Sequence, residues 1–252
     1  MKPILSIDVG ATKIAYALVT NKKQISRVLI TPTLKKNLVA KIEEIINQHK
    51  NLISGIGIGM PGSVLDDGTV TGLGNIKNFP KINLKISLQK KFKLPVCVDN
   101  DANAFTLAES LYGAGKKYRN VVGIVLGTGI GTGIVLNKKI LRGLNGLGGE
   151  YGHFILPDGQ FFEHFARKAG PFKNIKTAAP YLKMLFNFIV RSVDPDCIVI
   201  GGSWKEILKN EKALRNLLPR QNNNRVKTTI KLAKLKYPNI LGAVLPLLRH
   251  KT

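Results

Sequence analysis

ILSIDVGATK, residues 4–13, drives an apolar run into a glycine, with Asp8 near its end and Thr12-Lys13 just beyond. A short apolar run stopped by glycine reads as a buried strand. The event recurs at 121–129 (VVGIVLGTG) and at 197–203 (CIVIGGS). Strands that deliver acids and small residues into turns are how α/β proteins present phosphate sites. Backbone N–H groups must approach oxygen there, and a side chain would block them.

Working outward, residues 14–19 (IAYALV) read as a second strand, followed by a turn at Asn21-Lys22. Residues 38–50 place Leu38, Ile42, Ile45 and Ile46 on one helical face. GIGIGMPG (55–62) reads as a strand with close backbone neighbours, stopped by Pro61-Gly62. Residues 84–93 read as helix, VCVDND (96–101) as a strand ending in acid, and 102–112 as a helix ended by Gly113 and Gly115. Residues 121–141 predict a β-hairpin with a Gly/Thr turn. Helices are predicted over 176–193, 205–217 and 238–250, with a strand at 197–202. No period of 20–50 residues repeats. The alternation predicts an α/β fold whose sheet includes antiparallel strands.

The chain has 252 residues, 44% of them hydrophobic, enough for a real core in one large domain or two small ones. No stretch reaches the roughly 18 strongly apolar residues of a membrane span. The few residues before Asp8 predict no signal peptide. Cys97 and Cys197 are the only cysteines, which excludes a disulfide framework and a four-cysteine zinc site. The expectation is a soluble cytoplasmic protein with no membrane partner. The net charge is +24. That suggests a polyanion, but lysines scattered near turns, as in Lys22-Lys23 and Lys116-Lys117, read first as a solvated surface. Residues 203–252 hold the strongest asymmetry, with 12 Lys and Arg against Glu206 and Glu211.

Four segments carry chemistry. In the first, Asp8 is able to hold Mg²⁺ through water, Gly10 permits a tight turn, and Thr12 and Lys13 reach phosphate oxygens; an ordinary hairpin turn explains them equally well. There is neither a Walker A loop nor a dinucleotide fingerprint. Second, Gly127-Thr128-Gly129-Ile130-Gly131-Thr132-Gly133 has more glycine than a hairpin needs, which points to a ligand on its backbone. Third, Asp99-Asn100-Asp101 closes a strand, and Asp101 reads either as a helix N-cap or as a general base with Asn100 beside it for a hydroxyl. Fourth, Glu150 and His153 follow Gly148-Gly149 and suit a polyol, since a carboxylate accepts from two adjacent hydroxyls. Alternatively they are a turn with a surface glutamate and a packed histidine.

The ordered set of Asp8–Lys13, Gly59–Gly62, Asn75, Asn100–Asn103, Gly127–Gly131, Gly149–His153 and Gly201–Ser203 resembles the ROK family of sugar kinases, most closely its glucokinases. The resemblance runs from residue 4 to about residue 245. It implies an actin/hexokinase-type (ribonuclease H-like) fold of two α/β domains flanking a cleft. The expected division is 1–108 plus 238–252 as the smaller domain and 109–237 as the larger. It implies ATP and Mg²⁺, transfer of phosphate to the 6-hydroxyl of a hexose, and a homodimer. By the same resemblance Asp101 is the catalytic base. Asn100, Glu150 and His153 are sugar ligands, Gly62 and Asn75 line the sugar site, and Glu163 is a further sugar ligand. Asp8, Gly10, Thr12 and Lys13 form one phosphate segment and Thr128, Gly129 and Gly131 a second; Gly201, Gly202 and Ser203 form the nucleotide-side segment.

Two departures stand out. Most members follow the histidine with a cysteine-rich zinc loop, whereas here the segment is FILPDGQFFEHFARKAG without cysteine. No structural zinc is expected, so packing and hydrogen bonds must hold His153. The stretch from Gly170 to Lys183 is also short. Both features resemble the compact polyphosphate glucokinases and open polyphosphate as an alternative donor. Another hexose or an N-acetylhexosamine is an alternative acceptor. A basic nucleic-acid-binding protein on a kinase-like scaffold is the non-enzyme alternative, disfavoured by the presence of Asp101 and by few aromatics. The strand at Ile4 leaves no room in this sequence for the helix-turn-helix of family repressors.

Overall fold

The computed structural model describes residues 2–72, 79–164, 175–204, 209, 211–221 and 224–249. The chain divides into two compact units. Unit 1 comprises Met1–Ala108, Arg142–Gly148 and Tyr237–Thr252, and unit 2 comprises Glu109–Leu141 and Gly149–Lys236.

In unit 1, strands β1 (Ile4–Val9), β2 (Lys13–Val19), β3 (Leu29–Pro32), β4 (Ile56–Met60) and, after three short strands, β8 (Val96–Asn100) form one sheet in the order β3-β2-β1-β4-β8. The β1–β2 and β2–β3 pairings are antiparallel, while β1–β4 and β4–β8 are parallel. The short strands β5 (Ser63–Val64), β6 (Thr69–Gly72) and β7 (Ile82–Asn83) make a small sheet of their own. Helix α1 (Leu38–His49) buries the expected Leu38, Ile42, Ile45 and Ile46 stripe in a core with Leu5, Ile7, Ile56 and Ile58. Helix α2 (Leu84–Phe92) leads into β8, and α3 (Asp101–Tyr112) leaves it. The last helix, α6 (Pro238–Arg249), packs by glycine contacts. A side chain at Gly57 would strike the Ala243 carbonyl, and one at Gly242 would strike that of Ala104.

Unit 2 repeats this plan. Strands β9 (Val121–Leu126), β10 (Ile130–Leu136), β11 (Lys139–Ile140), β12 (Cys197–Gly202) and β15 (Thr229–Leu232) run in the order β11-β10-β9-β12-β15. Again the first three are antiparallel, and the last two run parallel to β9. The short strands β13 (Arg220–Gln221) and β14 (Asn224–Arg225) pair separately. Helix α4 (Ile175–Val193) covers the sheet with Leu182, Leu185, Phe186 and Ile189. Of the helix expected over 205–217, the structure describes α5 at Glu211–Arg215, ending before Pro219, while 205–208 and 210 lie outside the described residues.

The 3-2-1-4-5 strand order, present twice, is the actin/hexokinase-type (ribonuclease H-like) α/β fold. The duplication is topological: the two sheets share pairing directions without sharing a sequence period. No described helix is long and apolar enough to cross a membrane.

Candidate active site

In unit 1 the acidic segment closes β8. Asn100, not Asp101, caps α3: its Oδ1 accepts from the Asn103 backbone N–H at 3.0 Å. The Asn100 Nδ2 donates to the Gly62 carbonyl at 2.9 Å, and Gly62 sits at φ +93°, a conformation that favours glycine. Asn100 is buried and much of its amide is already committed. Asp101 starts the helix and accepts from the Ala102 N–H at 2.8 Å.

Asp8 stands opposite Gly59 in the parallel β1–β4 register. A Cβ on Gly59 would lie 3.6 Å from Asp8 Oδ1 and 3.6 Å from the Asp101 Cα. Glycine therefore keeps the ground between the two acids open. Burial pushes the Asp8 carboxyl up to about 6, against the opposing pull of Asn239 and Lys13. Asn239, from the first turn of α6, donates to Asp8 Oδ1 at 3.3 Å. A carboxylate desolvated this far with little compensating charge fits a divalent cation, and the donor is the hard oxygen that Mg²⁺ requires.

Beyond Asp8, the Gly10 N–H donates to the Lys13 carbonyl at 2.9 Å, closing the turn. Thr33 braces it, with its hydroxyl on the Gly10 carbonyl at 2.8 Å and its N–H on the Thr12 carbonyl at 3.0 Å. The Thr12 and Lys13 side chains are exposed.

In unit 2 the structure brings Glu150, His153 and Glu163 together. His153 Nδ1 lies 3.1 Å from Glu150 Oε2, and Nε2 lies 3.9 Å from Glu163 Oε1. Glu163 Oε2 also accepts from the Ile130 N–H at 3.1 Å and would collide with any side chain at Gly129. Part of the glycine surplus of 127–133 thus lies against protein, since Gly129 leaves room for the Glu163 carboxylate. Gly127 differs, because nothing occupies the space its side chain would take. The Thr132 hydroxyl donates to the Gly149 carbonyl and accepts from the Tyr151 N–H, fixing the backbone on both sides of Glu150.

The Gly201–Ser203 segment meets the glycine turn along the sheet. Gly131 and Gly201 flank Val125 on its two neighbouring strands, and Gly202 pairs with Leu126. At φ +113° and pressed against the Leu126 carbonyl, Gly202 admits no side chain. The Ser203 N–H donates to Leu126 O at 2.7 Å, and Trp204 Nε1 donates to Gly127 O at 3.0 Å. Ser203 and Thr128 are exposed.

After His153 the chain forms a small hairpin. Ile155 bridges Phe161, and the Phe162 N–H donates to Phe154 O at 2.8 Å. An aromatic series seats it on α4: Tyr151–Phe154 at 5.1 Å, Phe154–Phe188 at 5.2 Å and Phe162–Phe188 at 6.2 Å between ring centroids. Among the described residues no group of three or more His, Cys, Asp or Glu side chains is placed to hold a metal ion. Burial pushes the Cys97 and Cys197 thiols up to about 12, so neither serves as a nucleophile near neutral pH.

Asn75 and the Ala169-Gly170 pair lie outside the described residues. Two participants, Asn239 and Arg142, escaped the sequence reading. Asn239 is 231 positions from Asp8, with only the Pro238 helix start as a local signal. Asp99 and Arg142 form an ion pair at 2.6 Å, and Arg142 carries no motif.

The profile of the ROK family matches residues 4–170. The chain belongs to the ROK family. Similar ROK relatives include a glucokinase of Halalkalibacterium halodurans, 39% identical over 170 residues, covering 62% of this chain and 51% of that one. The chain spans about half the length of the curated relatives it matches most strongly. Among solved structures, the ROK hexokinase from Thermus thermophilus is 26% identical with a TM-score of 0.75, covering 100% of this chain and 99% of that one. The inorganic polyphosphate/ATP-glucomannokinase from Arthrobacter sp. strain KM is 25% identical with a TM-score of 0.77, and each chain is covered fully.

Proposed function

We propose that this ROK-family chain is a sugar kinase that transfers the ATP γ-phosphoryl group to the 6-hydroxyl of a hexose, with glucose as the first acceptor to test. The observation that carries the reading is Asp101: a carboxylate at the start of α3, next to the capping Asn100 and across Gly59 from Asp8. The likeness to a glucokinase and a hexokinase supports the same reading.

In this reading Asp101 accepts the proton of the attacking hydroxyl, which phosphoryl transfer to an alcohol requires. Glu150 accepts from sugar hydroxyls, His153 and Glu163 complete the polar surface, and Asn100 offers its remaining amide hydrogen. Gly62 serves by fixing Asn100. Asn75 belongs to the same proposal by resemblance. The Gly10–Lys13 turn and the Gly127–Gly131 turn hold phosphate oxygens, with Gly201, Gly202 and Ser203 on the nucleotide side. Asp8 would hold Mg²⁺ through water, and the ion would supply charge neutralisation on the phosphates. A cytoplasmic homodimer is the accompanying proposal for assembly and location.

Polyphosphate is the second reading for the donor. It is favoured by the likeness to the polyphosphate/ATP enzyme and by the basic residues after 203. Part of that charge is internally matched, since Arg215 and Lys231 both face Glu211 at 2.7 and 3.3 Å. Glucose 6-phosphate formation by purified protein, with ATP or polyphosphate over a sugar panel, tests both readings. No turnover with any sugar contradicts the kinase. Polyphosphate outpacing ATP, with collapse when Lys205, Lys209, Lys212 and Arg215 are neutralised together, replaces the donor.

A further inference from the structure

We infer that Arg142 is a positioning residue for Asp101, acting through Asp99. This rests on the kinase reading above. Asp99 is 6% exposed, and its two oxygens divide their work between chain neighbours and Arg142. Oδ1 accepts from the Asn100 N–H at 2.8 Å and from Asn103 Nδ2 at 3.0 Å, so one carboxylate oxygen grips the residues on both sides of Asp101. Oδ2 receives Arg142 Nη2 at 2.6 Å. The same guanidinium reaches Asp66 through Nη1 at 3.2 Å.

The guanidinium is planar, and engaging Asp66 and Asp99 through different nitrogens fixes its orientation, which a lysine ammonium would not do. Burial alone would lower the Arg142 pKa, but the Asp99 and Asp66 carboxylates outweigh it and hold it above its ordinary value. Arg142 therefore keeps its charge. With Oδ2 held, Oδ1 points at Asn100 and Asn103. Without that hold the carboxylate is free to rotate, and both grips loosen together. Asn100 then loses the backbone half of its placement while keeping its side-chain bonds to Gly62 and Asn103.

The segment that carries Arg142 is built to present it. The Gly148 N–H returns to the Arg142 carbonyl at 2.7 Å, closing a seven-residue loop. Gly146, at φ +67°, is pressed against the backbone of Val64. These contacts explain why Arg142–Gly148 groups with unit 1 although its chain neighbours on both sides belong to unit 2. Glu150 follows this loop by two residues, so the segment that secures the base also precedes the polyol-binding residues.

The test uses the purified full chain with glucose, ATP and Mg²⁺. Arg142→Met is expected to lower kcat about 10–100-fold, the scale of a misplacement near 1 Å, with the glucose KM held within about threefold. Arg142→Lys recovers only part of the loss. Removing one member of a part-buried pair can unfold a chain, so the double variant Asp99→Asn, Arg142→Met is made alongside, which leaves no buried lone charge, Asp66 being exposed. It is expected to fold and to keep the kcat deficit. Hydrogen exchange read by mass spectrometry over residues 99–103 is expected to speed up about tenfold in Arg142→Met while the core strands keep wild-type rates. Wild-type kcat in Arg142→Met or in the double variant overturns the inference, and so does unchanged exchange over 99–103. A wild-type protein that phosphorylates no sugar sinks the kinase reading instead, and the exchange experiment then decides the positioning by itself.

Discussion

Glu163 Oε2 accepts a hydrogen bond from the Ile130 N–H at 3.1 Å, tying a sugar-ligand candidate to the turn assigned to phosphate. In the proposed kinase the two roles would share one carboxylate. Glu163→Ala should therefore raise the KM for hexose and for donor together, each by about 10-fold or more, with the loss of a charged hydrogen bond as the cause. Gly129→Ala should give a similar phenotype, because the new methyl group meets the same carboxylate. Steady-state kinetics with each substrate varied checks this. A change confined to the sugar KM removes Glu163 from the donor side.

Asp8 trades stability for function. Its folded pKa of about 6 lies above the ordinary carboxyl value, so the folded chain binds more protons than the unfolded chain between about pH 4 and 6. Stability falls as pH rises through that window, and the penalty is fully present above it. Without Mg²⁺ or nucleotide, Asp8→Asn should be more stable than wild type at pH 8, by up to about 3 kcal/mol, and little different at pH 4. The same variant should lose turnover. Urea unfolding at the two pH values measures the effect. Equal destabilisation at both contradicts the assignment.

Glu109 is fully buried in α3, where its carboxylate accepts from the N–H groups of Ala114, Lys234 and Leu235 at 2.7, 2.9 and 2.8 Å. Glu109→Ala leaves three donors without a partner and should cost about 3–5 kcal/mol in denaturant unfolding. Glu109→Gln keeps an acceptor oxygen and should cost less. Equal costs for the two would show that one acceptor oxygen in the same shape is not enough, and that both oxygens or the charge are needed.

The 154–162 hairpin should be indifferent to chelators, because aromatic contacts to Phe188 seat it. Phe162 is fully buried, and Phe162→Ala should lower stability by about 3–5 kcal/mol. Prolonged chelator treatment should leave the Tm unchanged. A Tm drop restored by zinc contradicts the expectation of no structural zinc.

What could be read from the sequence was local. The α1 stripe, the 121–141 hairpin and the three strand-to-glycine junctions each follow from residues close in the chain. The grouping of Glu150, His153 and Glu163 followed from family resemblance. What escaped was long-range. Strand β3 carries the exposed Leu29 and Ile30, a pattern that does not announce a strand. Asn239 and Arg142 lie 231 and 43 positions from their partners, and no spacing rule joins them. Asp101 and Asn100 compete for the same cap, and only the geometry gives it to Asn100. Gly129 and Gly202 invited a ligand explanation, yet Gly202 is required first by the Leu126 backbone, and Gly129 borders the Glu163 carboxylate.

The central claim is that Asp101 is the base of a hexose kinase. Asp101→Asn keeps the shape and removes the proton acceptor. Glucose binding by calorimetry should stay within about threefold of wild type, while kcat with ATP and Mg²⁺ falls by about 10²–10⁴-fold or more. A variant that binds glucose and turns over at near wild-type kcat would contradict the account.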